Sequence, residues 1–223
     1  MSLPMYVPPE QLIKDRADFA RKGVRRGRPA VVLSFSGGVL LASHNPSRAL
    51  VKIGEIYDRI AFAAVGKYNE FETLRVAGVR FADLRGYAYD RSDVSGRALA
   101  GAYAQTLAAA FTTEAKPFEV ELAVAEVGPV PAEDAVFHVS YDGSVSDEHA
   151  WAVLGGASDE ARQTVAEGWR ADLTLPDAAR LALAVLGSQL PLGQIESALL
   201  HRGRDGRAFE RLDGSWWRAV GLK

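Results

Sequence analysis

Residues 30–43 read Ala-Val-Val-Leu-Ser-Phe-Ser-Gly-Gly-Val-Leu-Leu-Ala-Ser, two apolar runs (Ala30–Phe35 and Val39–Ser43) on either side of Ser36-Gly37-Gly38. Gly-Gly between β-rich runs signals a hairpin, because tight hairpin turns need positive φ and glycine adopts it without steric cost. Upstream, residues 1–8 carry Pro4 and Pro8 and read as irregular backbone. A helix is expected over residues 9–23, with Pro9 tolerated in its first turn and Gly23 near its end. Downstream, a second strand pair is expected near Ala49–Ile53 and Ile60–Gly66.

Two helical patterns follow almost back to back. The first begins near Asn69, with Asn69 and Glu72 spaced as a capping box, and places Phe71, Leu74, Gly78 and Phe81 at helical intervals. The second covers Val94–Thr113 with Leu99, Tyr103, Leu107 and Ala110 on one stripe. Strands are then expected at Phe118–Val127, Ala135–Tyr141 and His149–Gly155, with a turn at Asp142-Gly143. Helices fit Ser158–Trp169 and Thr174–Ser188, the latter with Thr174 as cap and Pro176 in its first turn. Gln194–His201 and Arg207–Leu212 form a last hairpin around Arg204-Asp205-Gly206, and a short helix closes the chain.

Strands and helices thus come in blocks and do not alternate, which argues against a doubly wound parallel sheet. The expected class is α+β. Its expected architecture is a four-layer αββα sandwich, two antiparallel sheets face to face with helix pairs outside and an extra N-terminal helix. No linker or repeat interrupts the order, so residues 1–223 are read as a single domain. A chain of this length can bury roughly 70–75% of the surface its unfolded form exposes.

Composition removes several classes of function. There is no cysteine, which excludes disulfides and thiolate chemistry. His44, His138, His149 and His201 lack ligand spacing, so neither a metal nor any other cofactor is expected. The net charge of −2 gives no case for nucleic acid. No stretch approaches the roughly 20 apolar residues of a membrane span, and the first residues lack the pattern of a signal peptide. A cytoplasmic protein is the default expectation. Charge is concentrated in one place: Glu10–Arg28 holds seven basic residues (Lys14, Arg16, Arg21, Lys22, Arg25, Arg26, Arg28) against Glu10, Asp15 and Asp18. Such a stretch is either a solvated helix face or a surface for carboxylates. The phosphate loop, the Gly-x-Gly-x-x-Gly turn and the Gly-x-Ser-x-Gly elbow are all missing. Gly155-Gly156 before Ser158-Asp159 is read as a strand-to-helix turn.

Four segments carry a resemblance: Asp15–Gly27 (Asp-Arg-Ala-Asp-Phe-Ala-Arg-Lys-Gly-Val-Arg-Arg-Gly), the hairpin Ala30–Pro46, Lys52–Lys67, and Gly86–Gly96 (Gly-Tyr-Ala-Tyr-Asp-Arg-Ser-Asp-Val-Ser-Gly). The chain resembles proteasome α-type subunits of the actinobacterial branch over nearly its whole length. The resemblance implies the fold of N-terminal-nucleophile hydrolases, in agreement with the element order. Active members of that fold open the hairpin with a free N-terminal threonine, whose amine serves as base for its own hydroxyl. The matching place here is Arg28-Pro29, and His44 stands where the family has an aspartate. No catalytic residue is therefore expected.

The resemblance also implies a function: a non-catalytic subunit of the outer rings of the proteasome core, gating substrate passage and docking activators for intracellular protein degradation. The implied partners are copies of itself in a seven-membered ring, proteasome β subunits, and a ring-shaped ATPase or ATP-independent activator that inserts its C-terminal tails. The first helix and the helix near Asn69 are the expected ring-contact faces. Lys52, in Lys52-Ile53, is expected to receive a tail carboxylate, with Gly66 beside it and Arg26, Asp18 and Arg21 contributing. Lys67 stands where many relatives carry leucine. The gate would be Met1, Ser2, Leu3, Pro4, Met5, Tyr6, Val7, Pro8 and Pro9. Two alternatives are an active N-terminal-nucleophile peptidase or amidase, and an unrelated αββα binding domain.

Overall fold

The computed structural model describes residues 8–47, 49–156 and 158–220. The gate residues Met1, Ser2, Leu3, Pro4, Met5, Tyr6 and Val7 lie outside the described residues.

The chain order is α1 (Pro9–Arg25), β1 (Ala30–Phe35), β2 (Gly38–His44), β3 (Ile53–Tyr57), β4 (Ile60–Gly66), α2 (Tyr68–Ala88), α3 (Gly96–Thr113), β5 (Val120–Glu126), β6 (Ala135–Val139), β7 (Val145–Asp147), β8 (Trp151–Leu154), α4 (Ser158–Gly168), α5 (Leu175–Leu186), β9 (Ile195–His201), β10 (Phe209–Leu212) and α6 (Gly214–Ala219). The strands make two antiparallel sheets of five, ordered β10-β9-β2-β1-β8 and β3-β4-β5-β6-β7.

Alternation along each strand sorts the core into three layers. Ala30 and Val32 of β1, Ala61, Ala63 and Val65 of β4, and Ala123 and Ala125 of β5 fill the space between the sheets. The opposite faces bury Leu33, Leu40 and Val153 under α4 and α5, and Phe62, Leu122 and Val124 under α2 and α3. Alanines on β4 and β5 sit between the sheets among larger residues such as Leu41, Ile53, Leu154 and Phe209, so large and small side chains interdigitate there. The expected αββα order is what the chain adopts, with α1 packed against β4 and β5 as the extra helix.

Local chemistry accounts for several of the departures from the sequence expectations. Helix α1 runs on to Arg25, because Gly23 is not its cap: a Cβ there would overlap the Glu119 side chain, so the glycine serves close approach. Strand β3 starts at Ile53, not Ala49. The preceding backbone is instead spent on a polar turn, in which Asn45 Oδ1 accepts from Ser47 N at 3.1 Å, Ser47 Oγ accepts from Leu50 N at 3.1 Å, and Asn45 Nδ2 donates to the Leu50 carbonyl at 2.7 Å. The capping box does not form: α2 begins at Tyr68 without a side-chain cap, and Glu72 is held by Arg75 at 2.6 and 2.8 Å. The strand expected over His149–Gly155 starts two residues later, at Trp151, and three exposed residues before it, Val145–Asp147, form an extra edge strand in the other sheet. The chain changes sheets between them, through His149 at φ 56°.

Two ends are pinned by side chains. Arg16 of α1 donates to the carbonyls of Phe111 (2.7 Å), Ala110 (3.1 Å) and Glu114 (2.8 Å), supplying donors that the last turn of α3 lacks. Helix α6, capped by Asp213, buries Trp217 completely, and its indole N–H reaches Ser197 Oγ at 2.9 Å.

Candidate functional site

The open ends of β1 and β2 meet the residues just before β3 and β9, and Lys52 stands where they converge. Its ammonium donates to the carbonyl oxygens of Arg28 (2.8 Å) and His44 (3.3 Å). Its backbone N–H and that of Ile53 both donate to the Glu196 carboxylate, at 2.9 Å each for the shorter contacts. That carboxylate also accepts from Asn45 Nδ2 at 2.6 Å and from Arg211 Nη1 at 3.1 Å. Glu196 thus orders the backbone that carries Lys52 while its oxygens are occupied by other donors.

The corner is electropositive. Arg28 Nη1 lies 2.6 Å from His44 Nε2, which makes Nε2 the acceptor in a neutral ring. Gln194 Oε1, at 3.3 Å from the same nitrogen, gains a hydrogen bond only if that nitrogen is protonated, and Arg28 is then repelled. Burial, with the charges of Arg28 and Lys52, holds His44 below its ordinary value against the Gln194 contact. Burial pushes Lys52 down to about 8, with Arg28 adding to the shift and Glu196 opposing it. An anion placed beside Lys52 would reverse part of that shift.

Of the sequence candidates, the structure gathers Lys52 and Gly66 into one neighbourhood. Ala64 N donates to the Lys52 carbonyl at 3.0 Å, and Gly66, two residues on, packs against Gly27. Gly66 has φ +118°, and a Cβ there would overlap the Glu119 carbonyl oxygen, so the position requires glycine. Arg26 is exposed just past α1. Asp18 and Arg21 belong elsewhere. They pair with each other at 3.3 Å on exposed α1, with the Arg21 guanidinium 5.9 Å from the Tyr141 ring centre. Pro8 and Pro9 are described, with Pro9 opening α1. Lys67 occupies the position before α2, 3.6 Å from Glu70.

Sequence reasoning missed Arg28 as a neighbour of Lys52, together with Asn45, Gln194 and Glu196. All four lie within three residues of a strand end, but nothing in a linear pattern reports that β9 lies beside β2.

Among the described residues, no serine or threonine opens the hairpin at the corner. Arg28 and Pro29 occupy the start of the hairpin. Ser43 is fully buried, with its hydroxyl committed to the Pro29 carbonyl at 3.0 Å. The family description "Proteasome subunit" matches residues 24–190. The chain belongs to the proteasome subunit family. It is similar to the proteasome subunit alpha of Xylanimonas cellulosilytica, 58% identical over 96% of this chain and 94% of that protein. The corresponding protein of Sanguibacter keddieii is 57% identical over 96% of this chain and 87% of its own length. That of Thermobifida fusca is 51% identical over 96% and 88%. This proteasome chain is therefore of the α, non-catalytic type, which removes both the peptidase and the unrelated-domain alternatives. No helix among the described residues is long and apolar enough to cross a membrane.

Proposed function

We propose that the chain forms the outer ring of a cytoplasmic proteasome core, stacks on β subunits, and receives activator tails beside Lys52. The observation that carries this reading is an ammonium held by two carbonyl oxygens, next to Arg28, whose neighbouring carboxylate is already spent. A free C-terminal carboxylate supplies the missing charge through a charge-assisted hydrogen bond, and capture of chain termini is a recurring mode of recognition. Several tails on one ATPase or ATP-independent activator add avidity without new contacts.

Ring closure is head-to-tail and needs two different complementary faces. Two exposed apolar patches support it. One is Leu12, Ile13 and Phe19 on α1, 47–57% exposed, beside a groove of about 850 Å³ against the end of α3. The other is Leu84, Tyr87 and Tyr89 at the end of α2, 70–92% exposed. The segment 1–9 would then form the gate over a seven-membered ring's pore, opened by activators that bind the open arrangement more tightly.

The test uses particles assembled from this chain and a β-type subunit, with peptide cleavage as readout. A peptide ending in a free carboxylate, copied from an activator tail, should stimulate cleavage, whereas its amidated form and the Lys52→Ala particle should show no stimulation. Equal stimulation of Lys52→Ala and wild-type particles would refute docking at Lys52.

A further inference from the structure

The groove of about 850 Å³ between α1 and the end of α3 suits an apolar occupant. Pro9, Leu12 and Phe19 line its α1 side, and Phe111, Ala115 and Pro117 face them. Leu12, Arg16 and Phe19 follow the i, i+4, i+7 spacing of one helix face. The charged residues on its walls are already engaged. Arg16 is spent on the carbonyls of Ala110, Phe111 and Glu114, and Lys116 on Glu70 and Glu119. Asp15 accepts from Gln11 Nε2 at 2.6 Å, and the Thr112 hydroxyl donates within its own helix. What the groove leaves open is hydrocarbon, at Leu12, Ile13 and Phe19 above all.

An apolar segment is tethered at its edge. Residues 1–7, outside the described residues, read Met-Ser-Leu-Pro-Met-Tyr-Val and hold no charged side chain. They lead into Pro8 and Pro9, and Pro9 is itself part of the groove wall. Pro8 is extended, at φ −57° and ψ 142°, so the chain does not arrive along the helix axis. We propose that residues 3–7 fill this groove in the free subunit, laid back along α1. The reach is sufficient: residues 3–8 span at most about 20 Å when extended, whereas Pro9 to Phe19 covers about 15 Å of helix. Pro4 and Pro8 favour extended backbone at Leu3 and Val7, and extended backbone puts Leu3, Met5 and Val7 on one face. That face meets Leu12, Phe19 and Phe111. A second copy offers the groove a rival apolar surface, but a tethered segment is present at an effective concentration on the order of millimolar.

Seating the tail also sets a condition on the gate. The same groove belongs to one of the two faces offered for ring closure, and a neighbour and the tail cannot both occupy it. Ring closure then displaces residues 3–7 and frees them for the pore, while the unassembled chain keeps its apolar face covered. This consequence rests on the ring reading of the groove; the seat itself does not.

The chain has no cysteine, so an introduced pair reports alone. The full chain is prepared with Met5→Cys and Thr112→Cys, or, as control, with Met5→Cys and Lys14→Cys, and oxidised with copper–phenanthroline. Thr112 lies on the groove, whereas Lys14 is exposed on the opposite side of α1. A tail that is not seated favours the control pair, which is closer along the chain. A seated tail should close the groove disulfide about tenfold faster or more than the control, independently of protein concentration. In particles with a β-type subunit the groove disulfide should be lost. A groove disulfide that forms no faster than the control overturns the proposal. So does one that forms only between chains, which would show a second copy in the groove. A groove disulfide that persists in assembled particles keeps the seat and sinks displacement by a ring neighbour, and failure of particles to form sinks the ring reading alone. Deleting residues 2–7 touches no described element and guards against a misfolded cysteine variant. The shortened free chain should bind about twofold or more of the dye 8-anilinonaphthalene-1-sulfonate, and unchanged dye binding overturns the seat.

Discussion

Arg202 and Lys52 lie at opposite ends of the same strands, and the two ends treat a partly or wholly buried cation in opposite ways. Arg202 follows β9 and points into the end closed by the β1–β2 turn. Its side chain is 10% exposed and faces an Asp134 side chain that is 0% exposed. The two pair in a fork, at 2.7 and 2.8 Å. The guanidinium also donates to the carbonyls of Gly128, Phe35 and Ser36. Asp134 accepts in addition from Gly128 N at 2.9 Å and from Ser34 Oγ. Every charge there has its counterpart, and the end is a fastener between sheets. At the other end Lys52 has carbonyl dipoles but no carboxylate of its own. A cation so placed stabilises the fold little and retains a capacity for an anion from outside. Completeness of pairing, more than burial, separates the structural end from the candidate site.

The largest test of this contrast is Asp134→Ala. It leaves Arg202 desolvated without its counter-charge, which costs about 3–5 kcal/mol. Urea unfolding of the full chain should show the midpoint falling accordingly. A loss below about 1 kcal/mol, the range of exposed pairs, would mean that the guanidinium simply swings into water and that the end is no fastener.

An intermediate effect belongs to Glu196→Ala. It strips the acceptor from Lys52 N, Ile53 N, Asn45 Nδ2 and Arg211 Nη1, at a cost of about 1–3 kcal/mol where the orphaned donors stay buried. It also removes the one charge that raises Lys52 against burial, so the amine should titrate lower still. Carboxylate docking needs the ammonium. In the unmutated particle, tail stimulation should therefore hold up to a pH of about 8 and weaken above it, by at most about tenfold per unit. In Glu196→Ala the decline should begin at a lower pH. An identical pH profile in the two particles would separate Glu196 from the Lys52 charge.

The fold was legible because its signals are local. The Gly37-Gly38 hairpin, the Thr174 cap with Pro176 behind it, and the block order of strands and helices all act within a few residues. Lys52 was legible through the Lys52-Ile53 resemblance alone, since a single lysine beside a strand carries no pattern. What escaped was made by contacts distant in sequence. Asn69 and Glu72 had the spacing of a capping box, but Arg75 held the carboxylate more favourably than a backbone N–H could. The basic stretch of α1 looked like one surface, yet its members divide. Arg16 caps α3, Arg21 turns to Asp18 and Tyr141, and Arg28 reaches His44. Glu196 organises the site from 144 positions away, and no spacing rule connects it to Lys52.

The smallest expected change in stability is the most discriminating. Lys52 binds its proton less tightly in the native chain, at about 8, than in the unfolded one, at 10.5. Below pH 8 both states are protonated, and the native state bears the full cost of the buried charge. Between those two values the unfolded state binds more protons, so this group's contribution to stability rises with pH. Lys52→Met keeps the length and apolar packing of the side chain without the charge. Near pH 7 it should leave stability unchanged or raise it by about 1 kcal/mol, a figure kept small because the site is partly open to solvent. It should also flatten the rise from pH 8 toward 10.5, measurable as urea midpoints across that window. A loss of more than about 2 kcal/mol, the scale of a broken buried pair, would show Lys52 fastening its end as Arg202 does, and the contrast would be wrong. If stability instead holds or improves while tail stimulation disappears, the charge is a local cost that the fold carries for binding.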